Sequence, residues 1–218
     1  MRVCLASTSP ARLMLLRQAG IEPVVVAPDV DEDAVASAAA ESRGSALPPG
    51  ELVLLLARAK AADVLPTLAE RHPDFDGIVI GGDSMFAIGG HAYGKPYTAE
   101  EATRRWQEMR GATGVLYSGH SVFRVAPGSA AEEATAVAEA SVTFSDDIED
   151  SEIAAYVATG EPLHVAGAFT IDSLGGAFIT DIVGDPSTVV GMSLSTVRRL
   201  ATVLGVTWTD LWAARGTD

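Results

Sequence analysis

The chain has 218 residues, with 15 lysines and arginines against 29 aspartates and glutamates, and its formal net charge is −14. This charge argues against a protein that binds DNA, RNA or an anionic membrane over a broad face, because such binding needs a basic surface. A phosphate ligand held in a small pocket by a few converging cations remains compatible with it. The length suits one domain with a substantial core.

Cysteine content and hydropathy indicate the compartment. The one cysteine, Cys4, cannot form a disulfide within the chain, which favours a reducing compartment and a buried structural thiol. Apolar runs such as residues 52–57 are shorter than the ~18 residues that a transmembrane helix needs. Polar residues within positions 7–12 interrupt any signal-peptide core. We therefore expect a cytoplasmic protein with no membrane partner.

The first elements predict an α/β fold. Residues 3–6 form a short apolar strand, after which Ser9 and Pro10 begin a helix as N-cap and first helical residue. Gly20 ends this helix, and residues 24–26 form a second strand. The order strand, helix, strand is typical of α/β proteins.

The next segments continue this alternation. An acidic turn at 29–33 leads into a short helix and a loose loop over residues 34–50. The helix predicted over 51–68 is apolar almost all round, so we expect it to be buried. A third strand covers 77–80 and ends at residues 81–83, Gly-Gly-Asp.

The second half of the chain is richer in predicted strands. Its pattern first predicts a hairpin over 85–93 that turns at Gly89-Gly90, and then a helix over 98–109 capped by Thr98. A long hairpin over 115–144 follows, with its turn at 127–129. The remaining predicted elements are a helix over 148–158, strands near 169–171 and 177–183, and a last helix over 193–204.

The loop Ser7-Thr8-Ser9 ahead of the first helix is a candidate anion site. Unpaired amides and the positive end of the helix dipole make a helix N-terminus suitable for an anion. Arg12 lies in the first turn, where a cation is disfavoured by about 0.3–1 kcal/mol unless an anion lies beside it. A bound phosphate would explain this placement, and a plain capped helix with a solvated arginine is the alternative.

Asp83 is a candidate catalytic or metal-binding carboxylate. It follows the third strand, a position where α/β proteins commonly place ligand-binding side chains, and the glycines before it allow close approach. The carboxylate could bind a divalent cation or take a proton from water, and a turn-forming aspartate is the alternative. Glu32 could complete a two-carboxylate magnesium site with Asp83, since Mg²⁺ favours few carboxylates together with phosphate oxygens.

Two lysines are candidate phosphate ligands. Lys60 shares a helical row with three apolar residues, so it projects from an otherwise apolar face. Either snorkelling to solvent or a buried anionic partner would explain that position. Lys95 precedes Pro96, which stiffens the loop, although a loop lysine is usually solvated.

Several other kinds of site are excluded by pattern. The four histidines lack the spacing of zinc ligands, and one cysteine cannot complete a thiolate site. The sequence contains no Walker A loop, no dinucleotide-binding glycine motif after a strand and no nucleophile elbow.

The order and spacing of these motifs resemble the Maf family of nucleoside triphosphate pyrophosphatases, also described as septum-formation inhibitors. The resemblance runs from Leu5 to Gly205. Each motif is weak alone, but their succession is specific. The segments that carry it are LASTSPAR at 5–12, DE at 31–32, LARAKA at 56–61, GDS at 82–84, GKP at 94–96, GEP at 160–162, AGAF at 166–169, GD at 184–185 and VVG at 189–191.

The resemblance implies hydrolysis of a nucleoside triphosphate to the monophosphate and pyrophosphate with a divalent cation, Mg²⁺ or Mn²⁺. It implies one domain over residues 1–218, a mixed curved sheet with flanking helices and two lobes around a cleft, as in inosine triphosphate pyrophosphatases. By this resemblance Asp83 is the proton acceptor and Glu32 is a further catalytic position, and we expect Glu32 together with Asp83 to hold the metal. The other positions that match the family's active site are Lys60 and Lys95 among the catalytic residues and Ser7, Ser9 and Arg12 among the substrate-binding residues.

The sequence departs from the family pattern at four positions. Ala11 replaces the first arginine of a usual pair, Ser84 replaces a threonine, and Gly114 stands where a histidine is common. Asp172 replaces a glutamine near the base. We assign Ser84 and Asp172 to substrate binding, but the family's pyrimidine preference does not transfer. Because an ionised Asp172 only accepts hydrogen bonds, it would favour a base edge that offers donors, as in guanine or cytosine.

A second function from another class is a regulator of cell division or septum formation, in which nucleotide binding is a switch and hydrolysis is incidental. The presence of every charged catalytic position favours the enzyme, since a switch would need binding without turnover. The resemblance implies a nucleoside triphosphate partner and allows a homodimer, since the family often forms homodimers, while the sequence itself does not indicate the oligomeric state.

Overall fold

The predicted alternation of strands and helices is present in a computed structural model, which describes residues 1–213. The strands are β1 (Arg2–Ala6), β2 (Val24–Val26), β3 (Gly77–Ile88), β4 (His91–Tyr93), β5 (Thr113–Val125), β6 (Glu132–Phe144) and β7 (Ile179–Gly184). The helices are α1 (Pro10–Gln18), α2 (Glu32–Arg43), α3 (Pro49–Arg71), α4 (Ala99–Met109), α5 (Asp150–Ala158), α6 (Pro186–Val190) and α7 (Leu194–Val203). Short 3₁₀ segments lie at Glu161–His164, Ala166–Ala168, Leu174–Phe178 and Trp208–Leu211.

The strands form one mixed sheet with the order β2-β1-β3-β5-β6-β7, and β4 pairs with the far end of β3. β1 is parallel to β2 and β3, as the initial strand-helix-strand unit predicts. The pairs β3–β5, β5–β6 and β6–β7 are antiparallel, which fits hairpin connections. The predicted α/β class with a mixed sheet and flanking helices is therefore confirmed, and the division into two lobes stays a prediction.

Apolar side chains from the helices cover both faces of this sheet. Leu5 and Leu16 belong to a cluster beneath α1 and α7, and Cys4 is buried with residues of α3, as predicted. A third cluster surrounds Trp106, whose ring meets Phe144 edge to face and whose indole nitrogen donates to the Ala168 carbonyl at 2.7 Å. No helix within residues 1–213 is long and apolar enough to cross a membrane.

Four details of the sequence prediction are wrong. β3 does not end before Asp83 but continues to Ile88, because it pairs with β5 along this whole length. Residues 169–171 form no strand and lie between 3₁₀ segments. The loose loop predicted within 34–50 is mostly helical, since α2 extends to Arg43 and α3 begins at Pro49. α3 buries one face rather than its whole circumference.

One edge of β3 is left unpaired for a few residues in the middle of the sheet, within the described part of the chain. β1 pairs with this edge as far as the Ala6–Gly81 pair, and β4 pairs with the same edge from Phe86 onwards. Among residues 1–213, no strand pairs with the intervening edge over 82–85. The chain therefore leaves a window beside β3 at the carboxyl end of β1, where α/β sheets commonly bind ligands.

α3 lies close against the sheet because glycines replace side chains beneath it. A Cβ atom at Gly81 would lie 2.4 Å from the Ala57 carbonyl oxygen, and one at Gly119 would lie 2.3 Å from the Val53 carbonyl oxygen. Because Lys60 lies one turn after Ala57, the same approach brings its side chain to β3.

The substitution Gly81→Ala should destabilise the protein by about 1–3 kcal/mol, because α3 must move away from the sheet. Turnover should also fall, since Lys60 moves with the helix. Urea unfolding and an activity assay measure the two effects. The matched control is Gly50→Ala in the same helix, where the nearest atom lies at 3.6 Å and the change should be neutral or slightly stabilising. Equal stability of the two variants would contradict this account of the packing.

Candidate active site

Lys60 joins two carboxylates beside the window in the sheet. Its Nζ atom lies 2.7 Å from Asp83 Oδ1 and 2.8 Å from Glu32 Oε1. The Lys60 and Asp83 side chains are only 9% and 12% exposed, whereas the Glu32 side chain is 50% exposed. Lys60 therefore does not snorkel to solvent but has a buried anionic partner, which was one of the two explanations that its position allowed.

Local structure places each member of this cluster. Glu32 is the first residue of α2, whose N-cap Asp31 accepts a hydrogen bond from the Ala34 amide. Asp83 lies on the face of β3 that α3 covers, two residues after Gly81. Lys60 reaches both carboxylates from the buried face of α3.

The surroundings of Asp83 make its carboxylate more basic than usual. Burial raises its pKa, while the positive charges of Lys60 and Arg12 act in the opposite direction. A carboxylate with a raised pKa is a better proton acceptor near neutral pH than a solvated one. The environment therefore suits the role that the sequence predicts for Asp83.

Arg12 lies on the other face of β3 and is held by three partners. Its Nε atom donates to the Gly191 carbonyl oxygen at 2.8 Å, Nη1 to Ser7 Oγ at 3.2 Å, and Nη2 to Ser84 Oγ at 3.1 Å. Ser9 caps α1, and its amide donates to Ser7 Oγ. Burial lowers the pKa of Arg12, which is nevertheless a permanently charged group at neutral pH. Four predicted substrate-binding residues thus lie together.

Two residues near Arg12, Ser118 and His120, were missed by the sequence prediction. Ser118 Oγ donates to the same Gly191 carbonyl at 3.2 Å, and the imidazole of His120 accepts a hydrogen bond from the Ser193 amide at 2.9 Å. Ser118 and His120 are both fully buried on β5. Two polar residues spaced by two within an apolar strand were a signal that one face of this strand meets polar groups.

Two predicted site residues lie outside this cluster. Lys95 is exposed in the loop after β4. This loop is anchored at Gly94, whose carbonyl oxygen accepts hydrogen bonds from the Arg105 side chain at 2.6 Å and from the Gly167 amide. Asp172 is exposed in the segment after the second 3₁₀ turn. Within residues 1–213, neither side chain forms a hydrogen bond or an ion pair, so the roles of Lys95 and Asp172 stay predictions.

The segment that carries Asp172 is fixed by a hydrogen-bond network around the half-buried Glu161. The Glu161 carboxylate accepts from the Ser173 hydroxyl at 2.8 Å, from the Gly175 amide at 3.1 Å and from the Thr170 hydroxyl. Although burial raises its pKa, these hydrogen bonds outweigh that effect and bring it to about 2. Asp172 is therefore presented to solvent from an ordered backbone.

Comparison with known proteins decides the family. The family model described as "Maf-like protein" matches residues 2–204. This chain belongs to the Maf family. It is 57% identical to the nucleoside triphosphate pyrophosphatase of Leifsonia xyli subsp. xyli, over 99% of each chain. It is 50% identical to the nucleoside triphosphate pyrophosphatase of Rhodococcus jostii over 97% of this chain and 96% of that one, and 49% identical to that of Streptomyces avermitilis over 98% and 96%.

The metal that the Maf family implies can be tested against the residues present. Glu32 and Asp83 direct carboxylate oxygens at one positive group, the ammonium of Lys60. The described residues 1–213 contain no group of three or more histidine, cysteine or acidic side chains that could hold a metal. Two carboxylates fit Mg²⁺ or Mn²⁺, which complete their shells with phosphate oxygens and water, and do not fit structural zinc.

The His120 ring should make the stability of this Maf protein depend on pH. Burial, with a smaller contribution from Arg12, lowers the pKa of His120 from 6.5 to about 4. Between pH 6.5 and pH 4 the His120 ring binds a proton in the unfolded chain but not in the folded protein, so the free energy of unfolding falls as pH drops from 6.5 to 4. The expected loss is about 3 kcal/mol.

Urea unfolding between pH 7 and pH 4 measures this loss. His120→Gln should flatten the dependence because glutamine does not titrate. The control His164→Gln alters an exposed ring and should keep the wild-type slope. Identical slopes for the two variants would show that His120 is not the group responsible.

Proposed function

We propose that this Maf protein is a nucleoside triphosphate pyrophosphatase that hydrolyses its substrate to a nucleoside monophosphate and pyrophosphate. The observation that carries the proposal is the convergence of Asp83, Glu32, Lys60 and Arg12 on the window beside β3. Such a site combines a basic carboxylate with buried cations suited to a polyphosphate. The relatives named above bear this activity as their name.

In the proposed reaction a water molecule attacks the α-phosphorus while Asp83 accepts its proton. The new bond joins the water oxygen to the α-phosphorus, and the bond from that phosphorus to the bridging oxygen breaks, so pyrophosphate leaves with the electron pair. The raised pKa of Asp83 suits proton transfer from water. Holding the water and the phosphorus at a fixed distance accounts for a further part of the acceleration.

The cations of the site would neutralise the polyphosphate. Arg12 offers a planar guanidinium that its partners hold in one orientation, and Lys60 offers an ammonium that reaches the same window. The hydroxyl groups of Ser7 and Ser9 precede α1, whose N-terminus adds a positive dipole end. Lys95 would add a third cation from the loop after β4.

Glu32 and Asp83 would hold a divalent cation, Mg²⁺ or Mn²⁺, as the family resemblance implies. A bound cation of this kind supplies Lewis acidity at phosphate oxygens. In the protein alone, the single charge of Lys60 is shared by both carboxylates, so metal and ammonium would compete for the same oxygens. Phosphate oxygens of the substrate offer Lys60 an equivalent partner, which supports joint binding of metal and nucleotide.

The direct test is pyrophosphate release from a panel of canonical and modified nucleoside triphosphates with Mg²⁺ or Mn²⁺. Release from at least one member is expected. Binding without release from any member would overturn the proposal and indicate the regulatory alternative. The same panel reads base preference, for which the exposed Asp172 predicts nucleotides with guanine or cytosine.

Asp83→Asn should lower kcat by a factor of about 10²–10⁴, because asparagine cannot take the proton from water. The fold should persist, since asparagine has the same size and can still accept a hydrogen bond from Lys60. The control Asp181→Asn changes an exposed aspartate on β7 and should leave kcat unchanged. Near wild-type turnover in Asp83→Asn would refute the assignment of the base.

Lys60→Met should bind Mn²⁺ at least about tenfold more tightly than the wild type when no nucleotide is present, because it frees both carboxylates. Turnover should nevertheless fall, since the polyphosphate loses a cation. Isothermal titration calorimetry measures the affinity. Lys95→Met removes a lysine outside the cluster and should leave Mn²⁺ affinity as it is. An unchanged affinity in Lys60→Met would place the metal elsewhere.

A further inference from the structure

The turn between α6 and α7, residues 191–193, is bound to the active site through one carbonyl group. The Gly191 carbonyl oxygen accepts from Arg12 Nε at 2.8 Å, from Ser84 Oγ at 3.1 Å and from Ser118 Oγ at 3.2 Å. Within residues 1–213, the Arg12 side chain has two other hydrogen-bond partners, both of them serine hydroxyls. The position of this carbonyl therefore determines where the guanidinium points.

His120 holds the other end of this turn from beneath. Its side chain is fully buried, and its Nε2 atom accepts a hydrogen bond from the Ser193 amide at 2.9 Å. Because Nε2 accepts, the ring proton must lie on Nδ1, and the ring is neutral. Among the described residues Nδ1 has no hydrogen-bond partner, so the bond to Ser193 is the polar connection that the ring makes.

β5 contacts α3 with one face and the 191–193 turn with the other. Ser118 and His120 are two residues apart, so they share the face that meets the 191–193 turn. Gly119, between them, faces α3, where a Cβ atom would strike the Val53 carbonyl. The strand that allows α3 to deliver Lys60 thus also carries the turn that orients Arg12.

We propose that His120 is a positioning residue of the active site, whose neutral imidazole fixes the Ser193 amide and thereby the Gly191 carbonyl that directs Arg12 at the substrate. The inference rests on the proposed function, in which Arg12 binds the polyphosphate. His120 itself touches neither substrate nor metal.

The charges around the ring agree with this role. Arg12 approaches from α1, and a protonated His120 would add a second buried cation beside it. On the side of α6, the Asp185 carboxylate accepts hydrogen bonds from the hydroxyls of Ser187 and Ser193, each at 2.7 Å. Its oxygens are therefore bound to groups other than the His120 ring. The pKa of about 4 keeps the ring neutral at physiological pH, so its acceptor persists.

Two variants of similar size separate positioning from filling space. His120→Leu removes the acceptor, whereas His120→Gln can place its side-chain oxygen near the former Nε2. With the best nucleotide of the panel, His120→Leu should raise KM about tenfold and lower kcat less than threefold. His120→Gln should stay within threefold of the wild type in both constants. Equal behaviour of the two folded variants overturns the inference.

The coupling to Arg12 gives a further criterion. In an Arg12→Lys background, His120→Leu should change KM less than twofold, because the guanidinium that it positions is already absent. If His120→Leu raises KM by the same factor in the Arg12→Lys background as in the wild type, the inference is overturned. Titration calorimetry with GTP and CTP reads the same comparison as Kd, independently of turnover. Wild-type protein that releases no pyrophosphate overturns the proposed function, whereas an active wild type matched by His120→Leu overturns this inference alone.

The wild-type protein provides a test that needs no variant to fold. Long-range ¹H–¹⁵N correlation spectra of the imidazole report which ring nitrogen carries the proton. A proton on Nδ1 with an unprotonated Nε2 is expected at pH 7. A proton on Nε2, or a charged ring, overturns the inference because Nε2 could not then accept from Ser193.

Discussion

The ammonium of Lys60 between Asp83 and Glu32 is the interaction on which the rest of the site depends. A charge so deeply buried is tolerated only when it is paired, and removal of one partner from a buried pair costs about 3–5 kcal/mol. α2, α3 and β3 must therefore meet at one point, and the glycines beneath α3 make that approach possible. Apolar residues would pack there at lower cost, so the charges indicate chemistry rather than stability.

The net charge of −14 gives this cluster its setting. An acidic surface repels polyanions in general, so a triphosphate would be held only where cations are concentrated and screened from competing acids. Arg12 meets this condition because it is buried and its side chain is bound by neutral groups. Lys60 is equally buried but is paired with Asp83 and Glu32, so a polyphosphate would have to share it with these carboxylates. In the proposed function, Asp83 and Glu32 stand apart from the general acidity, since they would form the basic and cation-binding side of the same site.

Local sequence patterns identified Lys60 and Arg12 as site residues but did not predict the long-range contacts that surround them. Lys60 was recognisable from its apolar helical row, and Arg12 from its place in a first helical turn. The interior position of Asp83 in β3 was not predictable, because Gly-Gly-Asp resembles a strand end until long-range pairing with β5 is known. Gly191 lies 179 residues from Arg12 in the chain, so only the folded topology could bring it to the guanidinium.

The window beside β3 explains how one substrate could meet groups on both faces of a sheet. Asp83 and Ser84 are consecutive, so they point to opposite faces, the first to Lys60 and the second to Arg12. In a fully paired sheet these groups would be separated by backbone. Because β1 ends at Ala6 and β4 pairs with β3 only from Phe86, no strand within residues 1–213 pairs with the edge between them, and Ser7 follows directly after β1. Under the proposed function, a polyphosphate that enters this gap would meet Asp83, the proposed proton acceptor, on one face of the sheet and Arg12 on the other.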